Sequence, residues 1–323
     1  MRHDIQDRLM TLDEAIRQFI EYLEVEKNFS SLTINAYQRY LKRFSEWVAE
    51  ASSSPTPQDI DLELIRKYRL YLARFTGANG ARLKKVTQNY HLIALRAFLR
   101  YLSVQRDMPV LSPDKIELPK SSPRTVTFLG SEEMERLVSS PDTSEVTGLR
   151  DRAILETLFS TGLRVSELAR LNRDQIDLEG KELGVIGKGS KPRVVFLSDT
   201  AAEWIRRYLQ SREDYFKPLF IRYSGREDSA KGGEKMRLTP RSVQRIVAKY
   251  AKQSFLPVKA SPHTLRHSFA TDLLIGGADI RSVQEMLGHK SITTTQVYTH
   301  VTDRHLKEVH RAFHGRSKKT KNE

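Results

Sequence analysis

In the first hundred residues the apolar positions recur every three or four, the spacing that gives a helix one oily face. Leu12, Ile16, Phe19, Ile20 and Leu23 form one such stripe, and Thr11 with Glu14 has the form of a capping box ahead of it. Ser31 is placed to cap a second helix with Ile34, Tyr37, Leu41, Phe44 and Val48 inward, stopping before Ser52-Ser53-Ser54-Pro55. A third helix is expected from about Asp59 to Phe75, stopped by Gly77. The fourth runs from about Lys84 to Leu102 and carries Val86, Tyr90, Ile93, Ala97 and Tyr101. Beyond it the period vanishes, and Pro109, Pro113, Pro119 and Pro123 predict an extended linker. This divides the chain into a helical domain over 1–105, a linker over 106–125 and a second domain over 126–313 with a basic tail over 314–323.

The second half mixes periods. Ser131 starts a short helix, and Leu149 to Thr161 is another, closed by Gly162. Glu182 to Ile186 and Arg193 to Leu197 have strand character and are joined by Gly187-Lys188-Gly189-Ser190. Ser198 is placed to cap a helix, Leu219 to Tyr223 has the character of a short strand, and residues 224–238 read as a polar loop. Thr239-Pro240 and Ser261-Pro262 each put a capping residue before proline, the favoured order at a helix start, and the second helix ends at Gly276-Gly277. Shorter helices follow, the last from about Asp303 to Phe313. The expected fold is mainly α with a small β-sheet: a four-helix domain, then a mixed α/β domain.

Composition narrows the function. Of 323 residues, 39% are hydrophobic and 29% charged, which suits two soluble domains with their own cores. No apolar run is long enough for a bilayer, and the N-terminus lacks a secretory pattern, so a cytoplasmic protein with no membrane partner is expected. With no cysteine, disulfides, thiolate catalysis, iron–sulfur clusters and cysteine zinc sites are excluded. The net charge of +14 favours a polyanionic partner, nucleic acid above all. The helices of the first domain carry Arg39, Lys42 and Arg43, then Arg66, Lys67 and Arg69, then Lys84, Lys85, Arg96 and Arg100. On one helix such residues are ordinary solvation; repeated over three, they suggest a DNA-facing surface, joined in the second domain by Lys191 and Arg241.

Several polar constellations carry candidate chemistry. In Ser261-Pro-His-Thr-Leu-Arg-His-Ser-Phe-Ala-Thr-Asp272, His263 and Arg266 share one helix face near its N-terminus, where paired donors suit a phosphate. A histidine capping its own helix is the bland alternative, and His263 with His267 lacks the acidic residue of a zinc-protease pattern. In Thr161-Gly-Leu-Arg-Val-Ser-Glu-Leu168, Arg164 follows a glycine stop at the head of a helix, and Glu167 can hold its guanidinium; a weak surface ion pair is the alternative. Lys188 sits in the hairpin turn. That turn is no P-loop, because Ser190 stands where lysine is required. Finally, Leu287-Gly-His-Lys-Ser-Ile-Thr-Thr-Thr-Gln-Val-Tyr-Thr-His300 puts His289 after a helix-stopping glycine and Tyr298 nine residues later.

Taken in order, Arg164, Lys188, His263, Arg266, His289 and Tyr298, with the segments around them, resemble the catalytic set of the tyrosine recombinase and integrase family. The likeness runs from about residue 11 to 313 and is strongest to the compact Xer recombinases; loop 224–238 is longer than expected of a minimal one. The resemblance implies a C-shaped clamp on DNA, with the N-terminal helices as core-binding domain. It also implies site-specific strand cleavage and rejoining through a 3′-phosphotyrosine. Tyr298 would be the nucleophile, Arg164 and Arg266 the phosphate clamps, His263 the proton acceptor, Lys188 the general acid and His289 a hydrogen-bond donor. No metal or other cofactor is implied. The implied partners are double-stranded DNA at a pseudo-palindromic site and three further protomers, as a homotetramer or a heterotetramer with a paralogue on two DNA sites. A DNA translocase is a possible further partner. Leu306, Val309 and Phe313 would form the stripe by which a terminal helix docks on a neighbouring protomer. The Xer role is chromosome dimer resolution in the cytoplasm. The competing readings are a mobile-element or integron integrase, a type IB topoisomerase and an inactive DNA-binding protein.

Overall fold

The computed structural model describes residues 10–50, 54–78, 80–119, 127–187, 192–288, 291–292 and 295, with Ile186 by its backbone alone. The terminal helix expected over 303–313 and the basic tail lie outside them. The chain divides into two compact units, Met1–Pro123 and Arg124–Glu323.

The first unit holds α1 (Leu12–Val25), α2 (Ser31–Ala49), α3 (Leu62–Arg74) and α4 (Lys85–Gln105). Thr11 caps α1 as its spacing predicts: Oγ1 accepts from the Glu14 N–H at 3.3 Å, and Glu14 Oε2 accepts from the Thr11 N–H at 3.0 Å. Helix α2 is capped one residue earlier than expected, at Ser30. Helix α3 takes Asp61 as its cap, its carboxylate accepting from the Leu64 N–H at 2.7 Å, because a separate 3-10 turn uses Pro57–Asp59. Aromatic rings fill the core: Phe44 lies 4.9 Å from Tyr68, and Phe19 lies 5.4 Å from Tyr101. Burying rings of this size stabilises the unit by about 1.5–3 kcal/mol each.

Helix α4 buries only the C-terminal end of the expected stripe, where Tyr101 is in the core and Ala97 packs against it. Its core stripe is Leu92, Leu95, Phe98, Leu99 and Leu102, while Val86, Tyr90 and Ile93 are exposed. The proline-rich stretch after it contains a 3-10 turn at Pro113–Lys115, and Met108, Val110, Leu111, Ile116 and Leu118 pack on this unit's core. Arg96 reaches Asp114 at 3.3 Å, and Arg69 donates to the Glu117 carbonyl, so charge also ties this stretch down.

The second unit is built around α6 (Val146–Thr161), which packs against α8 (Asp199–Gln210) and α11 (Pro262–Ile275). Buried residues lie all round α6, as a central helix requires. Helices α5 (Ser131–Val138) and α10 (Pro240–Gln253) also meet α6, while α7 (Val165–Arg170) packs on α10 and α12 (Ile280–Leu287) on α11. A three-stranded antiparallel sheet orders β1 (Ile176–Asp177), β2 (Glu182–Ile186) and β3 (Pro192–Phe196) in sequence. The two-residue β1 was not expected. In the β2–β3 pair Leu183 faces Val195 and Val185 faces Arg193, so these four share one face.

Residues 219–223 form no strand. Leu219, Phe220 and Ile221 are all buried, and their backbone is satisfied from two sides in single contacts, Leu219 N–H to the Leu171 carbonyl and Arg222 N–H to the Met236 carbonyl. The loop after them contains α9 (Ala230–Gly233), with left-handed Lys231 and Gly232 inside it, and then a 3-10 turn at Glu234–Met236. Among the described residues no helix is long and apolar enough to cross a membrane.

Candidate active site

Helix α6 ends where Gly162 turns left-handed, with φ of 59°. A side chain cannot replace its hydrogen, since a Cβ there would fall 2.4 Å from the Phe269 ring. The turn buries Leu163 and delivers Arg164 as the N-cap of α7. Arg164 then makes three bonds. Its N–H donates to Glu167 Oε2 at 2.9 Å, its Nη1 to Glu167 Oε1 at 2.9 Å, and its Nη2 to the Gly288 carbonyl at 3.0 Å.

Glu167 is buried rather than part of a surface ion pair, with its side chain 6% exposed. A second guanidinium completes its shell: Arg193 Nη1 donates to Oε1 at 3.1 Å and Nη2 to Oε2 at 3.0 Å. Burial alone would raise this carboxyl, but hydrogen bonds and charge from Arg193 and Arg164 outweigh it and hold the group below the usual range. One ionised carboxylate thus fixes two cations.

Helix α11 starts at Ser261, whose hydroxyl accepts from the Thr264 N–H at 3.3 Å, with Pro262 in the first turn. His263 is exposed on that turn, and Arg266, one turn on, is buried. Arg266 Nη1 donates to the Gly162 carbonyl at 2.5 Å and Nη2 to the Leu287 carbonyl at 2.6 Å. Helices α6 and α12 both finish in a left-handed glycine, Gly162 and Gly288. Their last carbonyls carry the negative end of the helix dipole, and a guanidinium between them satisfies both. His267 follows, and burial, then the nearby His263 and Arg266, lower its pKa to about 4.

Arg164 and Arg266 therefore converge on consecutive carbonyls, Leu287 and Gly288, immediately before His289. Lys188, Lys191, His289 and Tyr298 lie outside the described residues. Glu167 sits where the motif spacing puts it. Arg193 is the member that the motif reading missed, although its strand position shared a face with Val195. Of the other basic residues, Arg39, Lys84, Lys85 and Arg241 are exposed, Lys42 lies 3.7 Å from Glu46, and Arg43 is half-buried over the Phe75 ring. Among the described residues no three His, Cys, Asp or Glu side chains group as a metal site.

Comparison with known proteins places this geometry. The phage integrase family matches residues 127–305, and the phage integrase N-terminal SAM-like domain matches residues 16–106. The chain is 41% identical to tyrosine recombinase XerC of Pelobacter propionicus, over 96% of this chain and 98% of that one. It is 37% identical to tyrosine recombinase XerD of Listeria innocua, over 95% of this chain and all of that one. Among solved structures, XerH recombinase bound to a palindromic difH substrate is similar at 25% identity and a TM-score of 0.68, covering 93% of this chain and 85% of that one. The Tn1549 transposon integrase in complex with transposon right-end DNA, at 17% identity and a TM-score of 0.67, covers 93% of this chain and 99% of that one and shares the fold. With both units matched and relatives at these identities over nearly the whole length, the chain belongs to the phage integrase family and is a site-specific tyrosine recombinase, a DNA breaking-and-rejoining enzyme.

Proposed function

We propose that this chain exchanges strands between two copies of a pseudo-palindromic duplex site in the cytoplasm, and that its role is chromosome dimer resolution. A phosphodiester resists attack because its charge repels the nucleophile. Arg164 and Arg266 offset that charge at the non-bridging oxygens as it grows in the transition state. Tyr298 Oη attacks phosphorus, the bond to the 5′-oxygen breaks, and a 3′-phosphotyrosine forms. A phenol has an ordinary pKa of about 10, so His263 takes its proton while nearby cations favour the phenolate. Lys188 returns a proton to the departing 5′-oxygen, and His289 donates a hydrogen bond to the phosphate. The covalent link conserves the energy of the broken bond, so the free 5′-hydroxyl of the partner strand reseals the duplex without ATP.

The observation that carries this reading is the convergence of Arg164 and Arg266 on the Leu287 and Gly288 carbonyls, one residue before His289. The roles of Lys188, His289 and Tyr298 rest on their motifs and order. Four cuts in two duplexes require four protomers, a homotetramer or a heterotetramer with a paralogue, assembled through residues 303–313. Likeness to XerC and XerD recombinases favours the Xer role over that of a mobile-element integrase, and a DNA translocase is proposed as a further partner.

Covalent trapping tests the proposal. Wild-type protein and Tyr298→Phe are incubated with fragmented genomic DNA, denatured, and the DNA that stays attached to protein is sequenced. Fragments retained only by wild type and sharing one short pseudo-palindrome at a single chromosomal locus are expected. Many dispersed loci would favour a mobile-element integrase. Equal retention by the two proteins would remove Tyr298 from the chemistry.

A further inference from the structure

Arg193 has no place in the six-residue set, yet its contacts close a ring around it. It stands on the inward face of β3 opposite Val185, with its side chain only 16% exposed. Strand positions of this kind normally hold apolar residues, and a cation there needs a buried counter-charge. Glu167 supplies it, taking one terminal nitrogen of Arg193 on each oxygen. The same two oxygens take the Arg164 Nη1 and the Arg164 N–H. Arg164 Nη2 then bonds the Gly288 carbonyl, and Gly288 packs back on Arg193: a Cβ there would lie 3.2 Å from Arg193 Cζ.

The ring matters because of what Glu167 cannot do alone. Helix α7 is six residues long, and a glutamate in its first turn has freedom about three side-chain torsions. A two-pronged guanidinium gripping both oxygens fixes the plane of the carboxylate. With that plane fixed, the direction of the Arg164 fork is fixed too.

We propose that Arg193 is a positioning residue for DNA cleavage: acting through Glu167, it sets the Arg164 guanidinium at the reacting phosphate and closes Gly288 against it. This rests on the reading in which Arg164 meets that phosphate. Arg193 touches neither DNA nor the reacting atoms in this role. Its loss therefore slows the chemical step and leaves DNA affinity in place.

Single-turnover cleavage of a duplex carrying the target site tests this, with two versions of the scissile linkage. One is the natural phosphodiester, and in the other a methylphosphonate replaces a charged non-bridging oxygen with a methyl group. The second removes the charge that Arg164 neutralises, so a misplaced Arg164 costs little there. Arg193→Gln is expected to slow phosphodiester cleavage about 10- to 100-fold, the scale of a misplacement of about 1 Å. Methylphosphonate cleavage and duplex affinity should change little. Arg193→Lys, which keeps the charge but not the fork, should fall between wild type and Arg193→Gln. It also serves as the test should the glutamine variant not fold, as judged by thermal unfolding. Equal slowing of both substrates, or no slowing, by these variants overturns the proposal. Arg164→Ala separates the two layers. If its loss is selective for the phosphodiester while that of Arg193→Gln is not, only the positioning role falls. If its loss is equal on both substrates, the phosphate reading of Arg164 falls, and the positioning role with it.

Discussion

Gly288 meets two demands at once. Its φ of 63° lies where a Cβ costs about 1–2 kcal/mol, and a Cβ would also press against the Arg193 guanidinium. Gly277 isolates the first demand: its φ is 92°, but nothing lies within 4 Å of where its Cβ would be. Gly277→Ala should therefore lower thermal stability by the backbone cost alone, and Gly288→Ala by at least as much. Only Gly288→Ala should also slow strand cleavage, by 10-fold or about that. Parallel unfolding and single-turnover assays check this, and equal cleavage rates would separate Gly288 from the chemistry. At this scale the contacts of Arg164, Glu167 and Arg266 were legible because each lies in a short segment of fixed spacing, while Lys188, His289 and Tyr298 lie outside the described residues. Arg193 was harder to read. Its signal was an arginine in register with Val195 and Leu197 on a strand whose other face carries the exposed Val194 and Phe196. The counter-charge it required, Glu167, lies 26 residues away in sequence.

At the scale of elements, amphipathic stripes predicted the helices well, and α4 shows where a stripe misleads. Two stripes compete along it, Val86-Tyr90-Ile93-Ala97-Tyr101 and Leu92-Leu95-Phe98-Leu99-Leu102; a 3.6-residue period fits both, and the first is buried only at its Ala97-Tyr101 end. Packing against α1, α2 and α3 selects the second. That choice also buries His91, whose Nδ1 lies 3.1 Å from the Tyr68 hydroxyl and whose ring lies 4.6 Å from that of Tyr40. Burial, then the Arg43 charge, lowers the His91 pKa to about 4. In the unfolded chain it titrates near 6.5. Between those values the unfolded state binds the extra proton, so stability rises with pH across the window and is complete above 6.5. Acidification from pH 6.5 to 4 should remove on the order of 2–3 kcal/mol through this residue. His91→Leu should flatten part of that slope in thermal unfolding followed against pH, whatever it does to stability at pH 7. An unchanged slope would mean that His91 is not held neutral by the packing of α2, α3 and α4.

On the scale of the whole molecule, the net charge of +14 is distributed over cations in different states. Some are already engaged: Arg66 is gripped by both oxygens of Glu63 at 2.8 and 2.7 Å, and Arg206 and Arg207 share Glu203. Others, including Lys84, Lys85 and Arg241, are exposed with no ion pair among the described residues. A cation that must leave a carboxylate before meeting a phosphate gains little, whereas an unengaged one releases a counterion from the DNA. Binding to a duplex should therefore weaken steeply with salt, by roughly 10³-fold or more between 50 and 200 mM if about six phosphates are met. Replacing Lys84 and Lys85 together by alanine should reduce the slope of log affinity against log salt by about 2, while Arg66→Ala leaves it nearly unchanged. Both variants remove basic side chains from the same unit, so their difference separates specific phosphate contact from general attraction. Equal reductions would mean that the surface acts only through its summed charge, and the DNA-facing assignment of Lys84 and Lys85 would fail. A selective loss would place the start of α4 against the phosphate backbone.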